Sequence, residues 1–455
     1  MIEDTLIPLL LKHAQTAAPR YTSYPTANHF HAGVDARAYS GWLERLDRAE
    51  PVSLYVHIPF CAQQCWYCGC NMKLAARYEP IADYVDALLR EIDLVADRAP
   101  AGLRFAHLHF GGGTPSVLSP EDMERVMTRL RRRFSPEDGA EIAIEIDPRT
   151  FSRRLLERLA ALGFNRASLG VQEFDPTVQA AINREQPPEM IAATVAALRE
   201  AGIAAMNFDL VYGLPHQTAA TLARTIETCA AMAPDRVALF GYAHVPWFAK
   251  NQRLIPQDAL PDGAERVRQA LGARAGFEAA GYQAIGLDHF ALPADPLARA
   301  ARDGGLRRNF QGYTTDGCAT MLGFGATAIG ATPAGFVQNI AETGAWSRAV
   351  NAGALPVERG IALTDEDRLR AAVIERLMCD GAVDAAALAA AAGRPAGHFD
   401  AAFAALAPLA ADGLAHVADG RVTLSEGGAF VSRLAAAAFD AHRAPAAPAR
   451  HAVAI

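Results

Sequence analysis

The sequence predicts an α/β protein built on a parallel sheet. Short runs rich in β-branched and aromatic residues alternate along the chain with longer segments of helical periodicity. Six such runs are strand candidates: 52–60, 105–110, 141–147, 166–174, 207–213 and 236–245. Successive β/α units imply a parallel sheet that is either doubly wound or curled into a barrel. In a barrel, chemistry is expected at the carboxyl ends of the strands.

The helix candidates between these strands carry boundary signals. Segments of helical periodicity lie at 82–98, 120–134, 153–163 and 221–232. Ser119 followed by Pro120 is typical of a helix start, since a serine caps the first turn and proline suits its first position. Gly163 and Gly202 are typical of the position after a helix end.

The predicted β/α region, residues 51–345 with a substrate-side extension, has flanking segments of different composition. Residues 1–50 are predicted to form an N-terminal arm, because "PRYTSYPTANHF" (19–30) is rich in turn formers and aromatic residues. Residues 346–455 are predicted to form a mainly helical domain, whose helices followed by a hairpin resemble a winged helix. From Asp365 to Arg443 there are eleven acidic and seven basic side chains, which argues against DNA binding and favours a lid or a structural cap.

Composition excludes several classes of function. The net charge is −7, from 43 basic and 50 acidic residues, so nothing favours nucleic acid or an anionic membrane as a partner. The first apolar stretch is only about six residues long and follows acidic residues, which fits neither a secretory signal nor a membrane span. We therefore expect a cytoplasmic protein. Its seven cysteines, an odd number in a reducing compartment, favour metal binding over disulfides.

The strongest chemical motif is "HIPFCAQQCWYCGCN" (57–71), directly after the first predicted strand. Cys61, Cys65 and Cys68 form the pattern C-x3-C-x2-C, whose three thiolates can hold three irons of a 4Fe–4S cluster and leave the fourth iron open. A zinc site is an alternative, but no second Cys/His pair with zinc-binding spacing follows. A cluster with four cysteine ligands would need Cys70, which stands awkwardly close to Cys68; Cys70 is equally compatible with packing.

Glycines and carboxylates follow or end other predicted strands. The segment "GGGTP" (111–115) allows a backbone to approach a ligand closely, although a tight turn would use the same residues. Glu145 lies near the end of the third strand and Asp209 lies within the fifth. A carboxylate in an apolar strand needs a partner, either an ion pair or the amino and hydroxyl groups of a ligand.

Four further polar residues are ambiguous on sequence alone. Gln172 lies near the end of the fourth strand, and Arg184 has the guanidinium that suits a bound carboxylate. Composition by itself favours a surface charge for Arg184. His57 and His109 lie among apolar neighbours and are more typical of structural histidines than of ligands.

At this point the chain resembles the radical S-adenosylmethionine enzymes and, more narrowly, the oxygen-independent coproporphyrinogen III oxidases. The resemblance extends over nearly the whole chain from Pro19, and the alanine-rich end matches least. The segments that carry it are "PRYTSYPTA", "YVHIPFC", "CWYCGCN", "HFGGGTPS", "EIDPR", "LGVQEF", "INREQ", "FDLVYGLPHQT" and "RNFQGYTT". It implies a partial (β/α)6 barrel.

The resemblance also implies a reaction. In this family, S-adenosylmethionine binds the open iron and yields a 5′-deoxyadenosyl radical, and two propionates of coproporphyrinogen III become the vinyl groups of protoporphyrinogen IX. A monomer reduced by a donor such as flavodoxin or ferredoxin is the family expectation. The alternative is a haem-binding chaperone of the same superfamily without this activity. Such a chaperone usually lacks the "PRYTSYPT" arm and the cysteine two places after the triplet, which are both present here.

The resemblance assigns site residues by position, including two S-adenosylmethionine molecules bound side by side. Contacts to the molecule on the cluster are expected from Tyr55, Gly112, Glu145, Ala243 and Ile329. Contacts to the second are expected from Tyr67, Gly113, Thr114, Gln172, Arg184 and Asp209. Tyr67 stands where some relatives have phenylalanine, and its ring preserves stacking. The candidates to face the substrate are Arg20, Tyr21, Arg308, Asn309, Gln311 and Tyr313, of which Gln311 and Tyr313 are the catalytic candidates.

Overall fold

The structure is a computed structural model that describes residues 2–14 and 16–443. Its strands, in chain order, are β1 Val52–Ile58, β2 Phe60–Cys61, β3 Lys73–Leu74, β4 Arg104–Gly112, β5 Ser135–Ile146, β6 Arg166–Gln172, β7 Ala205–Tyr212, β8 Arg236–Gly241, β9 Gln283–Ile285, β10 His289–Ala291, β11 Arg307–Asn309, β12 Gly312–Thr314, β13 Met321–Phe324, β14 Ile329–Thr332, β15 Gly335–Asn339, β16 Val357–Ala362, β17 Ala382–Asp384, β18 Ala415–Ala418 and β19 Arg421–Leu424.

Helices follow most of the parallel strands and continue through the C-terminal part. They are α1 Ile2–Ala14, α2 Ala36–Leu43, α3 Glu79–Ala96, α4 Pro120–Arg133, α5 Arg153–Ala161, α6 Pro176–Ala181, α7 Pro188–Glu200, α8 Ala219–Ala231, α9 Gly263–Ala279, α10 Pro296–Arg302, α11 Thr343–Asn351, α12 Asp365–Asp380, α13 Ala385–Ala391, α14 Asp400–Ala405, α15 Ala407–Ala411, α16 Glu426–Ala429 and α17 Ser432–Ala437. None of the helices in the described part of the chain is long and apolar enough to cross a membrane.

A twelve-stranded sheet forms the centre of the molecule. Its middle strands run in the order β13-β1-β4-β5-β6-β7-β8, and each is parallel to its neighbours. Antiparallel strands extend it on both sides, with β14, β15 and β16 beyond β13 and with β10 and β9 beyond β8. The end strands β16 and β9 do not pair with each other among the described residues, so the barrel is partial. The predicted fold class is confirmed.

All six predicted parallel strands are present, and they lie side by side in chain order. A seventh parallel strand, β13, adds to the outer side of β1, where Ser53 pairs with Met321. The sequence did not predict it, because four residues show no periodicity and their partner lies far away along the chain. The main core lies between this sheet and its helices, and Phe105, Phe110 and Phe208 are fully buried in it.

The predicted helix boundaries agree with the structure. The Ser119 hydroxyl accepts a hydrogen bond of 3.1 Å from the Asp122 amide and caps α4. Gly163 and Gly202 have φ angles of +76° and +85°, the left-handed conformation that glycine adopts without strain after a helix end. Each glycine therefore turns the chain from a helix toward the next strand.

A second core joins the N-terminal and C-terminal parts. Leu10, Tyr21 and Tyr24 pack with apolar residues of the last helices, including Phe399 and Phe439. In this part, β17, β19 and β18 form a small antiparallel sheet beside helices α12 to α15. The division into residues 1–50, 51–345 and 346–455 stays a prediction, and the end of the last range lies outside the described residues.

Candidate active site

A cavity of about 1190 Å³ opens at the carboxyl ends of the parallel strands. This is the edge where a β/α barrel places its chemistry. Most of the predicted site residues line it. They are Cys61, Cys65, Tyr67, Cys68, Gly112, Gly113, Thr114, Glu145, Gln172, Arg184, Asp209, Ala243, Gln311 and Tyr313.

Two residues predicted to contact a cofactor, Tyr55 and Ile329, do not line this cavity. The Tyr55 hydroxyl lies 3.0 Å from His57 Nδ1, and burial raises the pKa of Tyr55 well above its ordinary value. Tyr55 pairs with Gly323 of β13, and a methyl group on Gly323 would come within 2.5 Å of the Ile329 carbonyl oxygen. Tyr55 on β1 and Ile329 on β14 therefore stand on either side of β13, and their contact with a cofactor stays a prediction.

The glycine segment after β4 packs directly against the cysteine loop. The Gly113 amide donates to the Ile58 carbonyl at 2.9 Å, and the Thr114 amide donates to the Phe60 carbonyl at 2.9 Å. A Cβ atom on Gly113 would lie 2.8 Å from the Phe60 carbonyl oxygen, so a larger residue would push the two segments apart. Thr114 also donates its hydroxyl to Cys61 Sγ at 3.2 Å. The Gly113 and Thr114 amides are therefore bonded to the protein and are not free to donate to a ligand.

Glu145 is held in place at the end of β5. Its Oε2 accepts a hydrogen bond of 3.1 Å from the Gly112 amide, and its Oε1 lies 3.3 Å from His109 Nε2. The side chain is still 38% exposed. A fixed carboxylate that faces the cavity can accept hydrogen bonds from an amino or hydroxyl group of a ligand. His109 therefore positions Glu145.

Cys65 lies against two arginines that share one carboxylate. Nη2 of Arg149 and Nη1 of Arg184 each lie 3.3 Å from Cys65 Sγ. Both guanidinium groups also donate to Asp147, at 2.7 Å from Arg149 and 3.3 Å from Arg184. Burial alone would raise the pKa of Asp147, but the bonds from Arg149 and the charge of Arg184 hold it below its ordinary value. Both guanidinium groups therefore place hydrogen-bond donors on the Cys65 sulfur.

The sequence reasoning missed Asp147 and Arg149 as site residues. Both stand in "EIDPR", directly after β5, at the edge where the barrel rule expects chemistry. Their position directly after a strand is therefore the signal that marks them. Arg184 donates a further bond of 2.5 Å to the Gly170 carbonyl, so its guanidinium is largely engaged by the protein. A role in binding a cofactor carboxylate stays a prediction for Arg184.

Asn251 holds the backbone of the cysteine loop from the other side. It lies in a 3-10 turn, Lys250–Leu254, after β8. Its side-chain amide nitrogen lies 3.2 Å from the carbonyl oxygen of Cys65, 3.0 Å from that of Trp66 and 2.8 Å from that of Cys68. One side chain therefore gathers the carbonyl groups of two predicted cluster ligands.

Gln252 adds a buried second clamp. Its side-chain nitrogen donates to the Tyr67 carbonyl at 2.8 Å and to the Ala243 carbonyl at 3.2 Å, while its oxygen accepts from the Val245 amide at 2.6 Å. The side chain is buried, so these bonds are sheltered from water. No sequence pattern predicts either clamp, because a polar loop residue that bonds to backbone groups has no characteristic spacing.

The cysteine loop suits a cluster better than a single ion. Among the residues that the structure describes, no group of three or more His, Cys, Asp or Glu side chains converges closely enough to hold one metal ion. Thiolates that bind separate irons of a cube need no such convergence. Cys70 also lines the cavity, and its amide donates to Cys68 Sγ at 3.4 Å.

Asp209 is a buried carboxylate with two donors. Ser168 donates its hydroxyl to Oδ2 at 2.8 Å, and the Asn207 side chain donates to Oδ1 at 2.9 Å. Burial and the nearby charge of Glu145 raise the pKa of Asp209 to about 6, against the lowering effect of these two bonds. Asp209 therefore changes its charge in the range in which the protein can be assayed.

Gln172 ends β6 in a left-handed conformation, with a φ angle of +67°. Non-glycine residues adopt it rarely, and those that do are enriched at functional sites. A Cβ atom on Gly170 would lie 2.9 Å from Arg184 Nη2 and 3.0 Å from Gln172 Nε2. The bare backbone at Gly170 therefore makes room for both side chains at the cavity wall.

The two catalytic candidates differ in their accessibility. Gln311 is exposed and lines the cavity. Tyr313 is buried, and its hydroxyl donates to the Met378 carbonyl at 2.7 Å and accepts from the Leu287 amide at 3.1 Å. A hydroxyl committed to two backbone groups is poorly placed for proton transfer. Of the arm residues, Arg20 lines the cavity, whereas Tyr21 donates its hydroxyl to Asp440 at 2.9 Å.

Known proteins resemble this chain along almost its entire length. Residues 55–229 match the Radical SAM superfamily, and residues 363–431 match the HemN C-terminal domain. An oxygen-independent coproporphyrinogen III oxidase from Bradyrhizobium diazoefficiens is 47% identical over 437 residues, which cover 96% of this chain and 97% of the relative. This chain belongs to the oxygen-independent coproporphyrinogen III oxidase family. A member from Salmonella typhimurium is 40% identical and covers 95% of this chain and 94% of its own.

A solved structure of this family has the same fold. The coproporphyrinogen III oxidase HemN from Escherichia coli, described as a radical SAM enzyme, has a TM-score of 0.89 at 39% identity and covers 93% of this chain and 98% of its own. The family predicted from the motifs is therefore confirmed. Enzymes of this family use a 4Fe–4S cluster and S-adenosylmethionine, and the three thiols beside strand-end carboxylates match that need.

Replacement of the cysteines tests the ligand set. We expect Cys61→Ala, Cys65→Ala or Cys68→Ala to abolish the cluster, because a cube held by two thiolates is not retained, and Cys70→Ala to keep it. Iron and sulfide content after anaerobic reconstitution, with the absorption near 400 nm, measures this. A Cys70→Ala protein as poor in iron as the other three would overturn the three-ligand assignment.

Loss of the backbone clamps should loosen the loop without removing a ligand. We expect Asn251→Ala or Gln252→Ala to assemble the cluster but to lose it several times faster on exposure to a chelator, since each loses hydrogen bonds worth about 1 kcal/mol apiece. Gln257→Ala is the matched control, because Gln257 lies in the next turn and bonds to His244 rather than to the loop. Equal rates of iron release in all three variants would contradict the role of the clamps.

Proposed function

We propose that this protein converts coproporphyrinogen III to protoporphyrinogen IX by oxidative decarboxylation of two propionate side chains. The observation that carries the proposal is the placement of the C-x3-C-x2-C loop. Its three cysteines open into a cavity at the carboxyl ends of the barrel strands, beside oriented carboxylates and an arginine pair. The names of relatives that match nearly the whole chain support the same substrate.

The cavity has room for the cofactors that the resemblance implies. Pockets that hold one drug-sized molecule measure about 300–1,000 Å³, and this cavity measures about 1190 Å³. We assign the cluster to Cys61, Cys65 and Cys68, and two S-adenosylmethionine molecules to the residues expected from the resemblance. When bound, the cluster and S-adenosylmethionine supply a 5′-deoxyadenosyl radical that takes one hydrogen atom from a propionate.

The oxidative decarboxylation of each propionate removes one hydrogen atom and one electron from the substrate. Each reacting propionate loses a hydrogen atom, then carbon dioxide and one electron, and leaves a vinyl group; an external one-electron acceptor takes up that electron. The protein's part is to bind and orient the substrate and the cofactors and to exclude water, so that side reactions at the site are prevented. Arg149 and Arg184 place positive charge at Cys65. Hydrogen bonds to the sulfur atoms of a cluster tune the reduction potential of that cluster. Glu145 offers a fixed acceptor at the same edge.

Three finer assignments belong to the same proposal. An external one-electron donor of the flavodoxin or ferredoxin class supplies the reducing electron. The cytoplasm is the compartment, since it keeps thiols reduced and available as ligands. The working unit is a monomer, as the family resemblance implies.

Anaerobic reconstitution tests the activity directly. Protein loaded with iron and sulfide, then given a reductant, S-adenosylmethionine and coproporphyrinogen III, should form 5′-deoxyadenosine, carbon dioxide and protoporphyrinogen IX in step. Chromatography of the products measures this. The control is a triple variant in which Cys61, Cys65 and Cys68 are all replaced by alanine. Tight haem binding by a fully loaded sample that forms neither 5′-deoxyadenosine nor protoporphyrinogen would instead favour the chaperone.

The pKa of Asp209 predicts a dependence on pH. An ionised carboxylate accepts hydrogen bonds from ribose hydroxyls better than a neutral one, and the pKa of Asp209 is about 6. The affinity for S-adenosylmethionine should therefore be highest at pH 7.5, where Asp209 is ionised. It should fall as the pH drops through 6, by up to about tenfold at pH 5. Equilibrium dialysis with labelled S-adenosylmethionine measures this. Asp209→Asn should bind weakly at both pH values, and a wild-type decrease that persists in this variant would exclude Asp209 as its cause.

A further inference from the structure

A second cavity, of about 440 Å³, adjoins the first. The two share wall residues, among them Arg20, Gly241, Ala243 and His289. The smaller cavity is walled by separate parts of the chain: the N-terminal arm, the ends of β7 and β8, helix α9, the segment around β10 and β11, and the start of the last helices. The C-terminal part therefore contributes to a binding wall and not only to stability.

The wall of this basic cavity carries an excess of positive charge. Arg20, Arg266, Arg274, Arg308 and Arg433 line it, against a single carboxylate from Asp288. The whole chain has a net charge of −7, so the concentration of guanidinium groups is local. Arg274 is paired outside the cavity with Glu278, at 3.0 Å. The remaining four still outnumber Asp288.

Two of these arginines are poorly satisfied by the protein. The Arg308 side chain is only 4% exposed, yet within the described residues its Nε and Nη1 atoms have no hydrogen-bond partner. Its nearest carboxylate, Asp288, lies 4.0 Å away and also takes His289 Nδ1 at 2.7 Å. The Nε atom of Arg266 is likewise buried without a partner in the described part of the chain. Buried charged donors without acceptors are costly unless a ligand supplies the acceptors.

The cations also act on one another. Burial, together with the charges of Arg20 and Arg308, lowers the pKa of Arg433 to about 10. The pKa of Asp288 is also lowered, to about 2, because His289 and Arg308 outweigh the effect of burial. The charged form of Asp288 is therefore favoured, whereas that of Arg433 is disfavoured. Both shifts show that these groups lie within reach of each other's fields. An anion bound among them would relieve the repulsion.

The chemistry of the substrate supplies such anions. Coproporphyrinogen III has four propionates, and the reaction removes the carboxylates of two. The other two remain charged throughout and persist in the product. A macrocycle that bridges the shared wall would have some carboxylates in the basic cavity while others face the cysteine loop. Tyr212, Phe240 and Phe290 add apolar surface for its rings.

We propose that the basic cavity binds the carboxylates of the two propionates that the reaction leaves in place; this inference rests on the proposed function. The guanidinium groups of Arg266 and Arg308 are the principal ligands, since planar paired donors match a carboxylate. Binding there fixes which propionates face the cysteine loop and keeps the retained pair away from it. The two cavities thereby separate reacting from retained carboxylates.

The test uses the cluster-loaded protein and two unreactive probes, coproporphyrin III and its tetramethyl ester, followed by optical titration. The wild-type protein should bind the free acid at least about tenfold more tightly than the uncharged ester. Arg266→Gln and Arg308→Gln should each weaken the acid by about tenfold and leave the ester unchanged. Arg302→Gln is the matched control, because Arg302 is exposed on α10 and lines neither cavity.

Iron content, S-adenosylmethionine binding and circular dichroism should be the same in all variants. If the buried Arg308→Gln protein does not fold, Arg266→Gln alone decides. Acid binding by Arg266→Gln equal to that of the control would overturn the inference.

Kinetics separates this inference from the proposed function. In an active wild-type enzyme, the variants should raise KM for coproporphyrinogen III by about tenfold and leave kcat within about twofold, because the retained propionates bind equally in ground and transition states. Unchanged KM with normal turnover rejects the cavity and keeps the oxidase. No turnover in the wild type, with acid preference lost in Arg266→Gln, rejects the oxidase and keeps the carboxylate site.

Discussion

The cysteine loop has almost no hydrogen-bonded structure of its own, and the site depends on how other segments hold it. Its only regular pairing is the two-residue contact between β2 and β3. Gly113, directly after β4, packs under it, Arg149 and Arg184 reach Cys65 from the barrel, and Asn251 and Gln252 bond to its carbonyl groups from the segment after β8. A loop predicted to present three thiolates to one cluster is thereby held by four separate parts of the chain.

The parallel sheet is what makes this possible. Because β1 and β4 to β8 all run in the same direction, their carboxyl ends meet at one edge, and residues far apart in sequence become neighbours. The first strand delivers the cysteines, the second the glycines, the third Glu145 with the Asp147–Arg149 pair, and the fifth Asp209. Each strand contributes few groups, and the site exists only when the register of all of them is correct.

The sequence predicted the features that repeat and missed the features that do not. The six main strands and the glycines that end helices follow from periodicity and from backbone conformation. β13 is too short to show a period, and its pairing with β1 is set by tertiary contacts alone. Asn251 and Gln252 bond to backbone carbonyls, which every residue has, so no residue pattern marks them. Tyr313 was predicted from its position in a motif, and only the structure shows that its hydroxyl is already bonded.

Charge is distributed between the two cavities according to what each must do. Beside the cysteines, the positive charges of Arg149 and Arg184 are shared with Asp147, so the loop gains donors to sulfur without a large net charge. In the basic cavity the guanidinium groups outnumber Asp288, and buried nitrogens remain without acceptors in the described part of the chain. A neutralised site suits a cluster whose potential must stay low, whereas an unneutralised one suits a polyanion that arrives from solvent. Arginine can therefore act as a neutralised sulfur donor in one cavity and as an unneutralised anion ligand in the other, because its carboxylate partners differ.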